Sequence, residues 1–455
     1  MRSWLAITTF ALAVAGGAQA QERPVLTLTL EAAQARAQQA SHRLAEIRAR
    51  EAAALAVVDM RLALERPTIT ATAGYTRTNH VVEFFVPGPI RPQLVYPDVP
   101  DNYQTRLDLQ WPIYSGGRTD ALERAARADA AGVRAEVDAA RADLRFEVAR
   151  AYWALVTARA SVAVLEQSVS RSEAHVGDVR ARFNAGFVAP NETASADAQA
   201  SRARMLLIEA RNQRDSGSAE LARLVGEDVM VPIEPATTLD QGTPGASAAA
   251  GQALGVIALA AQADNVIALA AQARSGRAER QVMERRVESA EAQGDAAAAA
   301  RRPSLLLVAG IDYARPNARI FPRTDQWQET WDVGVHVNWP LWDGGRSAAE
   351  AAQAVGLAAA ARARLADFDA GLAVDVRQRT LDIDSGLAAV QAASDGVAAA
   401  EEARRVVSER YRAGVIAQGE VLDAELALLQ AQLDRTRSLA GVRLAEARLA
   451  RAVGR

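Results

Sequence analysis

Apolar and polar positions along this chain change their period in the same order twice. Residues 30–65 carry apolar positions at helical spacing and end before Arg66-Pro67. From Thr68 to Thr76 the spacing drops to two, with Ile69, Ala71, Ala73 and Tyr75 on one face and threonines on the other. A second predicted strand over 104–112 places Leu107, Leu109 and Trp111 opposite Arg106, Asp108 and Gln110. The residues between, 79–102, hold Pro87, Gly88, Pro89, Pro92, Pro97 and Pro100 and read as an irregular surface loop. A helical pattern then runs over 119–183, followed by a shorter one over 191–226. The second half repeats the series: a helix, strands over 304–313 and 331–340, a long helix over 347–411 and a shorter one over 420–453. In its second strand Trp331, Val333, Val335, Val337 and Trp339 oppose Asp332, Gly334, His336 and Asn338.

The handover from strand to helix has nearly the same sequence in both halves. The first copy is Trp111-Pro112-Ile113-Tyr114-Ser115-Gly116-Gly117-Arg118, the second Trp339-Pro340-Leu341-Trp342-Asp343-Gly344-Gly345-Arg346. Proline withholds a ladder donor, so Pro112 and Pro340 are expected to close their strands. The glycine pairs Gly116-Gly117 and Gly344-Gly345 tolerate the abrupt change of φ that follows. Trp111 and Trp339 lie 228 positions apart, as do Gly186 and Gly414, and Gly226 and Gly454. A constant offset over such a span is the mark of internal duplication, with one repeat over 21–245 and the other over 246–455. Pro67 and Pro303 are 236 apart, so the two-strand segment is shorter in the second repeat. Variation in length there fits an exposed loop.

One polar and one apolar face, with tryptophan at the strand ends, is the pattern of a lipid-facing barrel strand. A soluble sandwich with one wet face would alternate in the same way. The long helical patterns are more restrictive. At 1.5 Å per residue each would be ~100 Å long, and such a rod is stable only with its apolar stripe buried against other helices. Phe146, Val148, Tyr152, Leu155, Val162 and Leu165 supply the heavier stripe positions in the first repeat. Val374, Val376, Leu381, Ile383, Leu387 and Val390 do so in the second.

Composition narrows the address and the partners. Arg2, the apolar run from Leu5 to Ala15 and Ala18-Gln19-Ala20 form an expected secretory signal over 1–20, leaving Gln21 as the mature N-terminus, with no cysteine there for a lipid anchor. The remaining chain is read as lacking a membrane-length apolar helix, so any entry into a bilayer is expected as a β-barrel. There is no cysteine and hence neither disulfide nor thiolate metal site; there is no lysine either, so all the positive charge is arginine. A net charge of −3 argues against nucleic acid as a partner. With 50% hydrophobic but only 5% aromatic residues, the apolar content is mostly alanine, suited to thin helix–helix seams. Between the repeats, 231–251 reads as a Pro/Gly/Thr-rich connector. It is followed by the octapeptide VIALAAQA at Val256–Ala263, repeated at Val266–Ala273, which reads as a slipped duplication within a helix.

Taken together, the duplication, the twin Trp-Pro…Gly-Gly-Arg junctions and a helical-hairpin tip signature resemble the TolC-like outer-membrane efflux protein family. The tip signature is Arg410-Tyr411-Arg412-Ala413-Gly414-Val415-Ile416…Glu420-Val421-Leu422-Asp423-Ala424 in the second repeat and Arg182-Phe183-Asn184-Ala185-Gly186-Phe187-Val188…Glu192 in the first. The resemblance covers essentially the whole mature chain. It implies a mostly α fold with a small β part: a homotrimer whose chains each give four strands to a twelve-stranded outer-membrane β-barrel, continued by a long periplasmic α-helical coiled-coil barrel. The strand count agrees, since ~8 strands only just close around side chains and four cannot enclose a lumen.

The same resemblance implies that the tips, Gly186-Phe187-Val188 and Gly414-Val415-Ile416, meet a periplasmic adaptor and through it an inner-membrane transporter. An ordinary helix C-cap with covering hydrophobics accounts for the same residues. Glu420 and Asp423 fall where the family places an acidic ring at the periplasmic entrance, and their spacing puts both on one helix face. Such a ring attracts cations, although acids near a helix N-terminus need no gate to explain them. Glu192 is the retained acid of the first repeat, and Tyr411 matches a further gate position or serves as a seam aromatic. The basic latch residue that some members carry at the position of Ile416 is missing.

The implied function is that of an outer-membrane duct in a tripartite efflux system, passing small toxic molecules passively. Protein export by a type I secretion system uses a duct of the same kind. The rival from another class is a secreted coiled-coil scaffold without a pore. No catalytic grouping is expected, and no cofactor. His42, His80, His175 and His336 have no metal-binding spacing.

Overall fold

The computed structural model describes residues 25–239 and 263–455. The signal segment 1–20, the repeat boundary at 245–246 and the first octapeptide copy up to residue 262 lie outside the described residues. The described elements fall into two compact units, each assembled from three stretches of chain: 25–40, 147–239 and 385–444 in one, 41–146, 263–384 and 445–455 in the other.

The second unit holds the main sheet. Strands β2 (Thr68–Arg77), β5 (Asp101–Tyr114), β7 (Ser304–Arg315) and β8 (Gln328–Asn338) pair in the order β2-β5-β7-β8, all antiparallel. The register aligns Ala71, Leu107, Ile311 and Trp331 across the sheet, so the predicted apolar positions share one face. Thr72, Arg106, Asp312 and Thr330 align in the next row, on the other face. The apolar face is open: Ile69, Leu107, Ile311, Trp331, Val333 and Val335 are all exposed. At one end of the strands Tyr75, Tyr103, Trp327 and Tyr313 form a chain of ring contacts, the tightest a stacked pair of Tyr313 and Trp327 at 4.9 Å.

Pro112 departs from expectation. β5 continues through it to Tyr114, and Pro112 still pairs opposite Leu306. The register shifts immediately after, between Pro112 and Tyr114, which is where a residue without an N–H can sit in a ladder. Pro340 does follow its strand, which ends at Asn338. The predicted irregular loop also contains a short hairpin, β3 (Phe84–Val86) with β4 (Gln93–Tyr96).

Helices α2 (His42–Ala63), α5 (Ala263–Gly276) and α6 (Ala278–Ala299) accompany the sheet in this unit, with the early turns of α3 (Arg118–Asn184) and α7 (Arg346–Arg412) and the end of α8 (Gln418–Ala452). Leu269 and Ala273, from the second octapeptide copy, are buried with Leu372, Val376, Ile383, Ala445 and Leu449. The leucine, isoleucine and valine side chains among them each contribute on the order of 1.5–3 kcal/mol when fully buried. Arg451 pairs with Asp143 at 2.7 Å and with Glu279, and Arg280 with Asp369 at 2.7 Å.

The first unit contains β1 (Leu26–Leu28), α1 (Leu30–Ala40), the later turns of α3 and α7, α4 (Pro190–Val225), β6 (Ile233–Pro235) and most of α8. The expected single helix over 30–65 is broken at Ser41, whose hydroxyl accepts from the Leu44 amide at 3.2 Å and starts α2 instead. No local pattern signals the parallel pairing of β1 with β6. Buried Tyr152 donates to the Leu28 carbonyl at 3.2 Å and lies 3.0 Å from the Thr237 hydroxyl, tying this pair to α3. α4 ends at Gly226 (φ +76°), where a Cβ would stand 2.3 Å from that of Ala40.

One stretch of α3 reaches a mean hydropathy of 1.2, long and apolar enough by composition to cross a membrane, contrary to the expectation of no such run. Val162 and Leu165 of α3 are instead buried with Leu207 and Ala210 of α4 and Leu429 of α8. That apolar stripe therefore serves a helix seam.

Candidate functional site

Two places recur in both repeats, the strand–helix junctions and the hairpin tips. At the junctions Gly116 and Gly117 have φ of +68° and +83°, and Gly344 and Gly345 of +71° and +89°, so each pair makes the left-handed step that a Cβ disfavours. The helices are capped alike. The Thr119 amide donates to the Ser115 hydroxyl at 3.3 Å, and the Ser347 amide to the Asp343 carboxylate at 2.9 Å. Trp111 donates its indole N–H to the Glu65 carbonyl at 3.1 Å, and Trp339 to the Arg301 carbonyl at 3.2 Å. Both carbonyls lie two residues before the proline that opens the first strand, so each tryptophan pins the strand's exit to its entry.

At the tips, both long helices end in a Schellman motif. The Phe187 amide donates to the Arg182 carbonyl and the Gly186 amide to that of Phe183, each at 2.9 Å. Val415 and Gly414 repeat the pattern with Arg410 and Tyr411 at 3.0 Å. Gly186 and Gly414 carry φ of +78° and +74°. Beyond them Phe187 is 81% and Val415 65% exposed. Val188 packs against Val176, Val179, Ala196 and Ala200, and Ile416 is half-buried. Glu420 and Asp423 are exposed on α8, with no side-chain partner among the described residues; Glu192 is half-buried on α4.

The two tips differ behind this shared cap. Phe183 is 40% exposed, whereas its counterpart Tyr411 is only 7% exposed. Arg182 covers Tyr411, with its guanidinium 4.6 Å from the ring centroid. It also donates to the carbonyls of Tyr411 at 3.2 Å and Arg412 at 3.4 Å, placing a cation on the C-terminal end of α7. His175 also meets this ring, the two centroids 5.7 Å apart. Burial pushes the His175 imidazole below its ordinary pKa, with Arg182 acting in the same direction and Asp178 and Glu425 against it. Burial likewise raises the Tyr411 phenol, with Glu192 and Asp178 adding to the effect and Arg182 opposing it. Glu425 accepts from Arg171 at 3.1 Å and Arg404 at 3.4 Å, joining α3, α7 and α8.

Of the residues singled out from sequence, Glu192 acts on the Tyr411 phenol through its charge, and Glu420 and Asp423 stay at the surface without a side-chain partner among the described residues. Arg182, His175 and Glu425 were not foreseen. Arg182 stood inside the tip signature, but nothing in a one-dimensional pattern says that it crosses to the other repeat.

Residues 18–227 and 269–455 match the outer membrane efflux protein family. Among solved structures, the chain is similar to the outer membrane protein VceC of Vibrio cholerae, with 20% identity, 93% of this chain and 96% of that chain covered, and a TM-score of 0.74. It is similar to the CmeC outer membrane channel of Campylobacter jejuni, with 14% identity, 99% and 94% covered, and a TM-score of 0.73. It is also similar to the MtrE outer membrane channel of Neisseria gonorrhoeae in its open state, with 19% identity, 93% and 88% covered, and a TM-score of 0.72. No curated protein matches the chain by sequence. At these identities the structural likeness speaks for the fold, and the match over both repeats for the family: the chain belongs to the outer membrane efflux protein family.

Proposed function

We propose that this chain is the outer-membrane duct of a tripartite efflux system, acting as a homotrimer. The carrying observation is the four-stranded sheet, whose edge strands β2 and β8 pair with no further strand among the described residues and whose broad apolar face is exposed. An open strand edge is not tolerated in lipid, where every backbone group must find its partner within protein. Three such sheets joined edge to edge remove all edges, turn the apolar faces to lipid and leave the polar faces around a lumen. The protein is an outer-membrane channel extending into the periplasm and not an enzyme. It performs no work of its own, so the driving energy comes from an inner-membrane transporter.

Phe187 and Val415 suit adaptor docking, because exposed apolar side chains at a rigid turn cost little to bury against a partner. Glu420 and Asp423, unpaired and exposed, suit an acidic entrance that concentrates cations. Small toxic molecules are the proposed cargo. Purified in detergent, the protein is expected to run as a heat-dissociable trimer and to conduct ions across a planar bilayer. A water-soluble monomer obtained without detergent sinks this reading.

A further inference from the structure

The polar face of the sheet carries a charge network that strand alternation alone does not require. Arg106 on β5 donates from Nε to Asp108 on its own strand at 2.7 Å, and from Nη2 to Asp332 on β8 at 3.3 Å. Its Nη1 lies 4.0 Å from Asp312 on β7. Strand β7 separates β5 from β8, so the side chain has to cross it. Gly310 makes this crossing feasible: a Cβ there would stand 2.6 Å from Arg106 Nη2 and 3.3 Å from Asp108 Oδ1. A second guanidinium, Arg319, meets Asp332 at 2.8 Å. Three carboxylates against two guanidiniums leave one negative charge per chain, held on the wall of the sheet rather than on a flexible loop.

We infer that this network is a charge filter within the barrel, separate from the acidic residues at the periplasmic tips, and that Arg106 sets its strength. The inference rests on the trimeric-channel reading, in which the polar face lines the lumen and the network recurs in three copies. Arg106 offsets one carboxylate and holds Asp108 and Asp332 at fixed positions. Cations are favoured over anions of the same size by the remaining charge. The reach of the effect follows the Debye length, ~30 Å at 0.01 M salt and ~3 Å at 1 M, so it operates across a wide lumen only when salt is low.

The test is the cation-to-anion permeability ratio, taken from reversal potentials in a KCl gradient across planar bilayers. The background carries Glu420→Gln and Asp423→Asn, so that the tips do not set the ratio. Arg106→Gln is expected to raise it by about twofold at low salt and Asp332→Asn to lower it by a similar factor, both shifts vanishing near 1 M. Opposite shifts from two substitutions in one network are not produced by a general loosening of the barrel. Should Arg106→Gln fail to assemble, Asp332→Asn decides alone. Conducting pores with an unchanged ratio in the variants that assemble overturn the filter and leave the channel intact. Absence of conductance from the wild-type protein overturns the channel reading and the filter with it.

Discussion

The junctions and the tips were copied by the same duplication, yet they have fared differently. At the junctions the two copies keep the same glycine pair, a side-chain cap at the same position and the same tryptophan-to-carbonyl hydrogen bond, with lengths of 3.1 and 3.2 Å. At the tips the backbone motif is retained, but Tyr411 is buried under Arg182 while Phe183 stays open. A junction answers to a geometric demand internal to each repeat, so both copies meet it the same way. A tip has a neighbour, and the two copies have become the two sides of one contact.

The largest effect should come from breaking the likeness of the junctions. Gly116→Ala and Gly344→Ala both place a Cβ at a left-handed φ, costing about 1–2 kcal/mol each. Only Gly116 also meets a wall, with Arg302 Cβ at 2.8 Å and the carbonyls of Ala299 and Pro303 at 3.3 Å, while Gly344 faces open space. Overpacking adds about 1–3 kcal/mol, so Gly116→Ala should lower the thermal midpoint clearly more than Gly344→Ala. Equal shifts would mean that the close approach is relieved at no cost.

Next is the arginine that makes the tips unlike. Arg182→Ala removes two hydrogen bonds and a cation from above a ring, a loss of about 1–3 kcal/mol locally. Hydrogen exchange at residues 409–416 should accelerate. Arg410→Ala, the counterpart in the other repeat, should leave exchange at residues 181–188 nearly unchanged. Similar acceleration in both would erase the asymmetry between the tips.

Acid should act on the same seam. His175 is held below its ordinary value of 6.5, so the folded tip resists a proton that the opened tip accepts. The contribution is therefore complete above that value and declines as the pH falls below it towards the lowered folded pKa. Exchange protection around Tyr411 is expected to drop between pH 7.5 and 5.5 in the wild type by more than in His175→Phe. An identical pH response in both proteins would remove His175 as its source.

The smallest expected effect tests what the junctions share. Trp111→Phe and Trp339→Phe each delete one indole hydrogen bond to a backbone carbonyl, about 0.5–1.5 kcal/mol. Their shifts should agree within experimental error, and a large difference would show that the two pins are not equivalent.

Much of the fold was written in local pattern. Strands with period two and helices with Ala-rich stripes were bounded to within three residues in both repeats, because alternation and capping signals act over a few neighbours. The exceptions follow from contacts distant in sequence. Ser41 breaks a helix that periodicity continues, since α1 and α2 belong to different units. β1 is only three residues long, and its partner β6 lies some two hundred positions away, so neither carries a pattern of its own. The tip glycines and exposed apolar residues were legible from the turn signature. The Arg182–Tyr411 contact was not, because it joins positions 229 apart and depends on how two helix ends meet.

The ion pairs along the helices use a single kind of cation throughout. Asp143 and Glu279 share Arg451, and Asp369 holds Arg280. A guanidinium keeps its proton at any pH a cell survives, whereas an ammonium would begin to lose it in moderate alkali. The Arg451–Glu279 clasp can thus be undone from the acidic side alone, where the glutamate is the one that yields, and an alkaline wash leaves it fastened.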